Sequence, residues 1–532
     1  MPAAIPVEAI VDHLGGRVLA SDPELATQLD ATSLGRPPEW PRLVARSAPP
    51  PGLAVLAASE TTRLRLEAAG SAAGWRTSGI SLETAGAHEL VARGLEPGLD
   101  AVVVGTDDPP SRAERSALAT LSAIVDALED RRPETTIVLA GTLGLATPDA
   151  ADSAEDAADE TSRDGASPRR DDAEDDTRMY APPPRGTTPD DPLVALLHRF
   201  RARPDDVQAG IARTAASLAA VVERRLEVVA VGLDSGLRVA AWPIGDPESE
   251  GQPTIAVPGV EIEHGVASLA AQVATGGFVP DTLDDATVDG ILNWSTASLD
   301  RIRLRDRLQE LRIAPWGHPD GDGAGLRLAT ARAALSRIVA ATPAFDLMPA
   351  PDVIIASGGV FAPAPGPAIA LALADVLRRP AVAQFSYDHA SLMGPLGTIP
   401  DEHERRLLLA DLADDLLAPL GSIVSPQGVR AGRSAGSVVV HGGTGSTELE
   451  LVPGGLQLVD LPPGQVATAE FEFRDPVLLG VRGRHFAVEV GGGLGGLLID
   501  LRDVPLRLPD RLEHRRELLA AWQGALWAGG EG

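Results

Sequence analysis

Residues 351–380, PDVIIASGGVFAPAPGPAIALALADVLRRP, decide the fold of this chain. The stretch opens on Val353-Ile354-Ile355-Ala356, a short apolar run whose β-branched residues suit a buried strand. Ser357-Gly358-Gly359 then lets the backbone turn sharply, because glycine brings no Cβ into the bend. Pro367 fits the first turn of a helix, and Ile369, Leu373, Val376 and Leu377 recur on one helical face until Pro380 ends it. Strand, glycine turn and helix in succession aim backbone N–H groups at whatever lies above the turn, which is a ligand-cradling arrangement.

Residues 226–242, LEVVAVGLDSGLRVAAW, partner it. They read as a buried strand, the polar turn Gly232-Leu233-Asp234-Ser235-Gly236, and a second strand closed by Trp242-Pro243. A hairpin tip of this kind can offer successive N–H groups to phosphate oxygens. Asp234 reads either as a turn former or as a group that reaches a ligand through water.

Composition narrows the function classes. The formal charge of −29 over 532 residues argues against a nucleic-acid or anionic-membrane surface, which needs clustered base. The sequence has no cysteine, which excludes disulfides, thiolate catalysis and Cys-ligated zinc. It has no lysine either, which excludes a Schiff-base or Walker A lysine. The opening MPAAIPVEAIVDHLGG carries Glu8 and Asp12 and no basic stretch, so it does not read as a secretory signal. No apolar run reaches the ~18 residues of a membrane span, and a cytoplasmic protein is expected.

Along the chain, five segments are expected. Residues 1–147 read as an amino-terminal α/β lobe. Its first fifty are Pro-interrupted, with PPEWPRL and APPPG read as extended connection, and alternating strands and helices begin at Leu53. Asp107-Asp108 follow the DAVVVG strand, either as a helix cap and turn or as groups facing a ligand at the strand end. Residues 148–190 read as an acidic linker between lobes. Within it, residues 149–176 hold twelve acids against three arginines and almost nothing large and apolar, the signature of disorder. Residues 191–420 read as a second α/β lobe, including two polar helices before the 351–380 stretch. Residues 421–509 alternate in short runs such as Glu470-Phe471-Glu472-Phe473, which puts acids on one face and apolar groups on the other; an antiparallel sandwich or barrel is expected. Residues 510–532 read as a terminal helix with Leu519, Trp522 and Leu526 on one face.

Four tempting motifs lack their context. Gly491-Gly492-Gly493-Leu494-Gly495-Gly496 matches the dinucleotide fingerprint, but a strand with prolines follows instead of a helix. Gly432-Arg433-Ser434-Ala435-Gly436 matches a nucleophile elbow, but an all-β region follows. His403-Glu404-Arg405-Arg406-Leu407 lacks the second zincin histidine, and His318-Pro319-Asp320-Gly321-Asp322-Gly323 runs into Ala324, where a calcium loop needs oxygen.

The 226–242 hairpin and the Ser357-Gly358-Gly359 turn together resemble the phosphate hairpin and adenosine-side turn of the actin, heat-shock chaperone and sugar-kinase superfamily. More narrowly, SGGVFAPAPGPA, FSYDHASLMGPLG, LGSIVSPQG and GGLLIDLRDVPLRLPDRLEHRRELLAAW resemble the glutamate mutase L family, associated with a cobalamin-dependent mutase. The resemblance implies an actin-like (ribonuclease H-like) two-lobed α/β core with an additional C-terminal antiparallel β domain. It implies ATP with Mg2+ in the interlobe cleft, with Gly232, Asp234, Ser235 and Gly236 on the phosphate side and Ser357, Gly358 and Gly359 against the adenosine. The superfamily carboxylate two residues before the loop glycine is Ala230 here, and the first phosphate hairpin has no counterpart before Leu53. The reading is therefore an accessory protein that binds nucleotide with weak or no hydrolysis and assists a partner enzyme. An active ATPase that remodels a cobalamin-dependent mutase, and a structural scaffold without nucleotide, are the alternatives. No catalytic or metal-binding residue is assigned.

Overall fold

Three short strands lead the chain: β1 (Ile5–Asp12), β2 (Arg17–Ala20) and β3 (Arg42–Ser47), antiparallel in the order β2-β1-β3. The Pro-interrupted sequence here assigns no strands, and only the PPEWPRL and APPPG stretches around β3 read as extended connection. The computed structural model describes residues 5–12, 17–20, 42–47, 51–144 apart from 134, 178–184, 191–201, 206–244, 259–313 apart from 281–282, and 321–527 apart from 362–363, 378, 413–415, 431–433, 443–444 and 504–505. The chain divides into two compact units, residues 50–202 and residues 2–49 together with 203–532.

The unit of residues 50–202 is an open α/β sheet. Its elements are β4 (Gly52–Ala57), α1 (Glu60–Ala72), β5 (Arg76–Ser81), α2 (Ala87–Gly94), β6 (Ala101–Gly105), α3 (Arg112–Arg131), β7 (Thr136–Ala140), β8 (Arg178–Ala181) and α4 (Pro192–Arg201). Strand order is β5-β4-β6-β7-β8 and every neighbouring pair is parallel. Parallel neighbours need crossovers, which cover both faces, so the central strands are apolar throughout. Leu53 and Val55 pack toward Leu66 of α1, while Ala54 and Leu56 pack toward Leu121 and Val125 of α3. One expectation changes here. The acidic segment falls inside the unit, between β7 and β8, and does not join two lobes; its residues 149–176 lie outside the described residues. Its far end was read as linker because the β8 run, Arg178–Ala181, is too short to show a strand period.

The larger unit continues with α5 (Val207–Val222), β9 (Leu226–Val231), β10 (Gly236–Pro243), β11 (Glu261–Glu263), β12 (Val266–Val273), α6 (Asp285–Leu292), α7 (Arg301–Ile313), α8 (Gly321–Ala341), β13 (Val353–Ser357), α9 (Gly366–Val376), β14 (Val382–Tyr387), α10 (Met393–Leu396), α11 (Glu402–Asp411) and β15 (Ala418–Val424). There follow β16 (Gly436–Gly442), β17 (Gly445–Leu451), β18 (Leu456–Val459), β19 (Val466–Leu479), β20 (Val481–Gly491), β21 (Leu497–Asp500) and α12 (Leu512–Trp527). A nine-stranded sheet in the order β11-β12-β10-β9-β13-β14-β15-β21-β18 organises the unit. One face, with Val228 and Ile355, packs on Leu218 of α5, Leu396 of α10 and Leu409 of α11. The other, with Val229 and Ile354, packs on Ile338 of α8, Leu373 of α9 and Leu519 of α12. Helix α8 was expected to be polar, yet Ala329, Ala331, Ala334 and Leu335 are all fully buried: its alanines, not a large apolar stripe, make it a core helix.

The expected separate β domain of residues 421–509 is divided. β15, β18 and β21 belong to the nine-stranded sheet, and only β16, β17, β19 and β20 form a second sheet, in the order β17-β16-β19-β20. That sheet lays Val438, Val440, Phe471 and Phe473 on Val424, Leu497 and Ile499 of the main sheet, so the two share one core. Alternation identified the strands and their faces correctly, but a period of two does not say which sheet a strand joins. A buried charge cluster ties the carboxyl-terminal elements to the helices. Asp375 accepts from Arg332 Nε and Arg502 Nη1, each at 2.6 Å, while Asp500 accepts from Arg502 Nη2 at 2.8 Å. Trp522 of α12 lies under the Arg502 guanidinium, 4.5 Å from it to the ring centre.

Candidate functional site

The two stretches singled out in the sequence meet at one end of the nine-stranded sheet. β9 and β10 pair antiparallel with Gly236 opposite Val231, so residues 232–235 form the hairpin tip beyond the carboxyl end of β9. β13 runs parallel to β9 with Ser357 opposite Ala230, so the Ser357-Gly358-Gly359 turn leaves the sheet beside that tip. Gly358 holds φ +113°, and a Cβ there would lie 2.3 Å from the Val231 carbonyl oxygen. Only glycine permits this approach. The two turns are therefore side by side on neighbouring strands, not on opposite sides of a gap as sequence reading had them.

Each turn is anchored from below. In the hairpin, Gly232 N–H donates to the Ser235 carbonyl at 2.9 Å, and Phe278 N–H donates to the Gly232 carbonyl at 2.8 Å. Ser235 is buried, and its hydroxyl oxygen accepts from Gln208 Nε2 of α5 at 2.5 Å and Gln272 Nε2 of β12 at 3.2 Å. Its side chain thus faces inward, which leaves the backbone as its only route to a ligand. Gly236 is also inward: a Cβ there would lie 2.3 Å from Ile338 Cδ1 and 2.8 Å from the Gly276 carbonyl. Asp234 is exposed at the tip, and Gly232 and Leu233 are half-buried. Ala230 is buried, so no carboxylate stands at that position.

Beyond the Gly-Gly turn, Val360 and Phe361 enter the core, with Phe361 edge-on to Tyr387 at 6.3 Å. Gly358 and Gly359 remain half-buried at the sheet end. Sequence reading missed the residue that fixes this turn. Asp388, at the end of β14 and 1 % exposed, accepts from Ser357 Oγ at 2.8 Å and from Leu392 N–H at 2.8 Å. Burial pushes its carboxyl up to about 6, against the lowering effect of these hydrogen bonds. The signal available was its place directly after the AVAQFSY strand, where open α/β sheets gather polar groups. Gln208 and Gln272 left no such signal, since each sits in an ordinary element pattern.

In the 50–202 unit, the ends of β4 and β6 flank the point where strand order reverses, where such sheets bind ligands. Asp107 there pairs with Arg65 at 2.8 Å. The buried Glu114 fills the place, accepting from Thr62 Oγ1 at 2.7 Å, Ser111 N–H at 2.9 Å and Ser59 Oγ at 3.1 Å. Burial raises this carboxyl, but the hydrogen bonds outweigh it and hold the group below its ordinary value. The helix that follows is capped by Ser111 and not by Asp107 or Asp108, which belong to the turn before it.

Among the described residues, no cluster of three or more His, Asp or Glu is placed to hold a metal ion, and no helix is long and apolar enough to cross a membrane. No family model matches the chain, and no curated protein matches it.

Proposed function

We propose that the larger unit is an actin-like nucleotide-binding module with weak or no hydrolysis, acting as an accessory protein to a partner enzyme. The observation that carries this reading is the adjacency of the 232–236 hairpin and the Ser357-Gly358-Gly359 turn at one sheet end. The strand order β12-β10-β9-β13-β14, with only β10 antiparallel to its neighbours, is that of a ribonuclease H-like core and supports the same reading. ATP with Mg2+ is the nucleotide implied. Gly232, Asp234, Ser235 and Gly236 would line its phosphates, and Ser357, Gly358 and Gly359 its adenosine. A buried alanine at position 230 offers neither a base nor a metal-positioning carboxylate, so turnover is expected to be slow or absent. A cobalamin-dependent mutase is the partner that the family resemblance implies.

A scaffold without nucleotide is the second reading, and one observation favours it. Gly236 and Gly358 are both required by close packing alone, against Ile338 and the Val231 carbonyl. Calorimetric titration of the full chain with ATP and Mg2+, alongside a phosphate-release assay, separates the readings. Binding without release supports the degenerate site. Robust release abolished by a hairpin substitution would make the protein a working ATPase. No binding at millimolar ATP leaves the scaffold.

A further inference from the structure

Arg337, near the end of α8, is coupled to the hairpin through the segment that follows β12. Its guanidinium donates from Nε to the Thr275 carbonyl at 2.7 Å and from Nη2 to the Gly277 carbonyl at 2.8 Å. Gly277 lies against the hairpin tip: a Cβ there would come within 2.5 Å of the Asp234 carbonyl carbon. The next residue, Phe278, makes the hydrogen bond to the Gly232 carbonyl. Three of the arginines buried in this unit have carboxylate partners, whereas the buried Arg405 donates to Ser217 Oγ and the Ile399 carbonyl. Arg238 meets Glu227, Arg332 meets Asp375, and Arg502 meets both Asp375 and Asp500. The hydrogen bonds of Arg337 described above go to carbonyls, and burial lowers its guanidinium to about 10 with no carboxylate opposing the change. Arg337 is half-buried, and a partly desolvated cation held by carbonyl dipoles is stabilised further by a bound anion.

We propose that Arg337 supplies the positive charge for the phosphate chain of a nucleotide bound over the 232–236 hairpin. It takes the part that a lysine plays in many phosphate-binding loops, in a chain that contains no lysine. The proposal rests on the nucleotide reading above. Asp234, the exposed acid of the tip, opposes an anion, so a phosphate chain bound there requires a nearby cation.

Calorimetric titration of the full-length protein, its Arg337→Met variant and its Arg337→Lys variant with Mg-ATP, tripolyphosphate and adenosine tests this. Thermal unfolding of each variant reports whether the 275–278 segment is still held. Arg337→Met should weaken ATP and tripolyphosphate binding by about tenfold or more, the effect of ~1.4 kcal/mol. It should leave adenosine binding unchanged and flatten the fall of ATP affinity with salt, while Arg337→Lys keeps part of the affinity. Unchanged ATP affinity in a folded Arg337→Met protein would overturn the proposal and leave the nucleotide reading standing. So would an equal loss for ATP and adenosine, which marks a purely structural clamp. Wild-type protein that binds neither ATP nor tripolyphosphate overturns both.

Discussion

Asp388 is the side chain on which the Ser-Gly-Gly turn depends, and it makes that turn sensitive to pH. Its carboxyl titrates near about 6 in the folded chain rather than at its ordinary 3.8, because burial disfavours the charged form. The folded state therefore holds this proton more tightly than the unfolded one. The stabilisation is complete below pH 3.8 and is lost as pH rises through 6, a change on the order of 3 kcal/mol. Asp388→Asn cannot titrate, so the stability difference between wild type and variant should move against wild type between pH 4 and pH 7, and then stay level. Thermal unfolding across that range measures it; a parallel course of the two proteins would mean that Asp388 does not carry the effect. Asp375 presents the opposite case, a carboxylate that compensates two buried arginines, Arg332 and Arg502. Asp375→Ala strands both cations and should cost about 3–5 kcal/mol in chemical denaturation. A loss below 1 kcal/mol would show that water reaches the cluster.

At the scale of elements, what the sequence made legible depended on periodicity. The 351–380 stretch reads as strand, turn and helix, and the structure has β13 and α9 in those places. Alternation in Glu470-Phe471-Glu472-Phe473 put the phenylalanines inside, and both are buried while the glutamates are exposed. Partnership between elements was not legible. β18 and β21 read as members of a separate β domain, because register and sheet membership are set by contacts distant in sequence. The same limit hid Asp388, which meets the Ser357-Gly358-Gly359 turn through packing and not through a local motif. Phe473 stacks on Phe471 with ring centres 5.8 Å apart and meets Phe486 edge-on at 6.0 Å. Phe473→Ala should therefore cost about 3–5 kcal/mol. Since the four-stranded sheet shares its core with β15 and β21, that loss should lower the stability of the whole larger unit, and not melt one sheet separately. Hydrogen exchange decides this: protection lost only in β16, β17, β19 and β20 would restore the independent β domain.

Among the described residues, the two units draw on apolar clusters with separate membership. Every residue of the apolar clusters around β4–β7 comes from residues 53–197, and those around the nine-stranded sheet begin at Ile211. A unit of about 150 residues with its own two-layer core lies within the size range of autonomous domains. Residues 50–202 expressed alone should therefore fold cooperatively, and the full chain should unfold in two calorimetric transitions, one matching the isolated unit. The nucleotide reading adds a sharper expectation, because both candidate turns belong to the larger unit. A ligand that binds only the folded form stabilises it by about 2.7 kcal/mol at one hundred times its Kd. Saturating Mg-ATP should raise the transition of the larger unit by several degrees and leave the other where it was. Movement of only the 50–202 transition would relocate the site to the sheet end where Glu114 now sits. Movement of both together would show that the two units unfold as one, and that the division of cores does not govern stability.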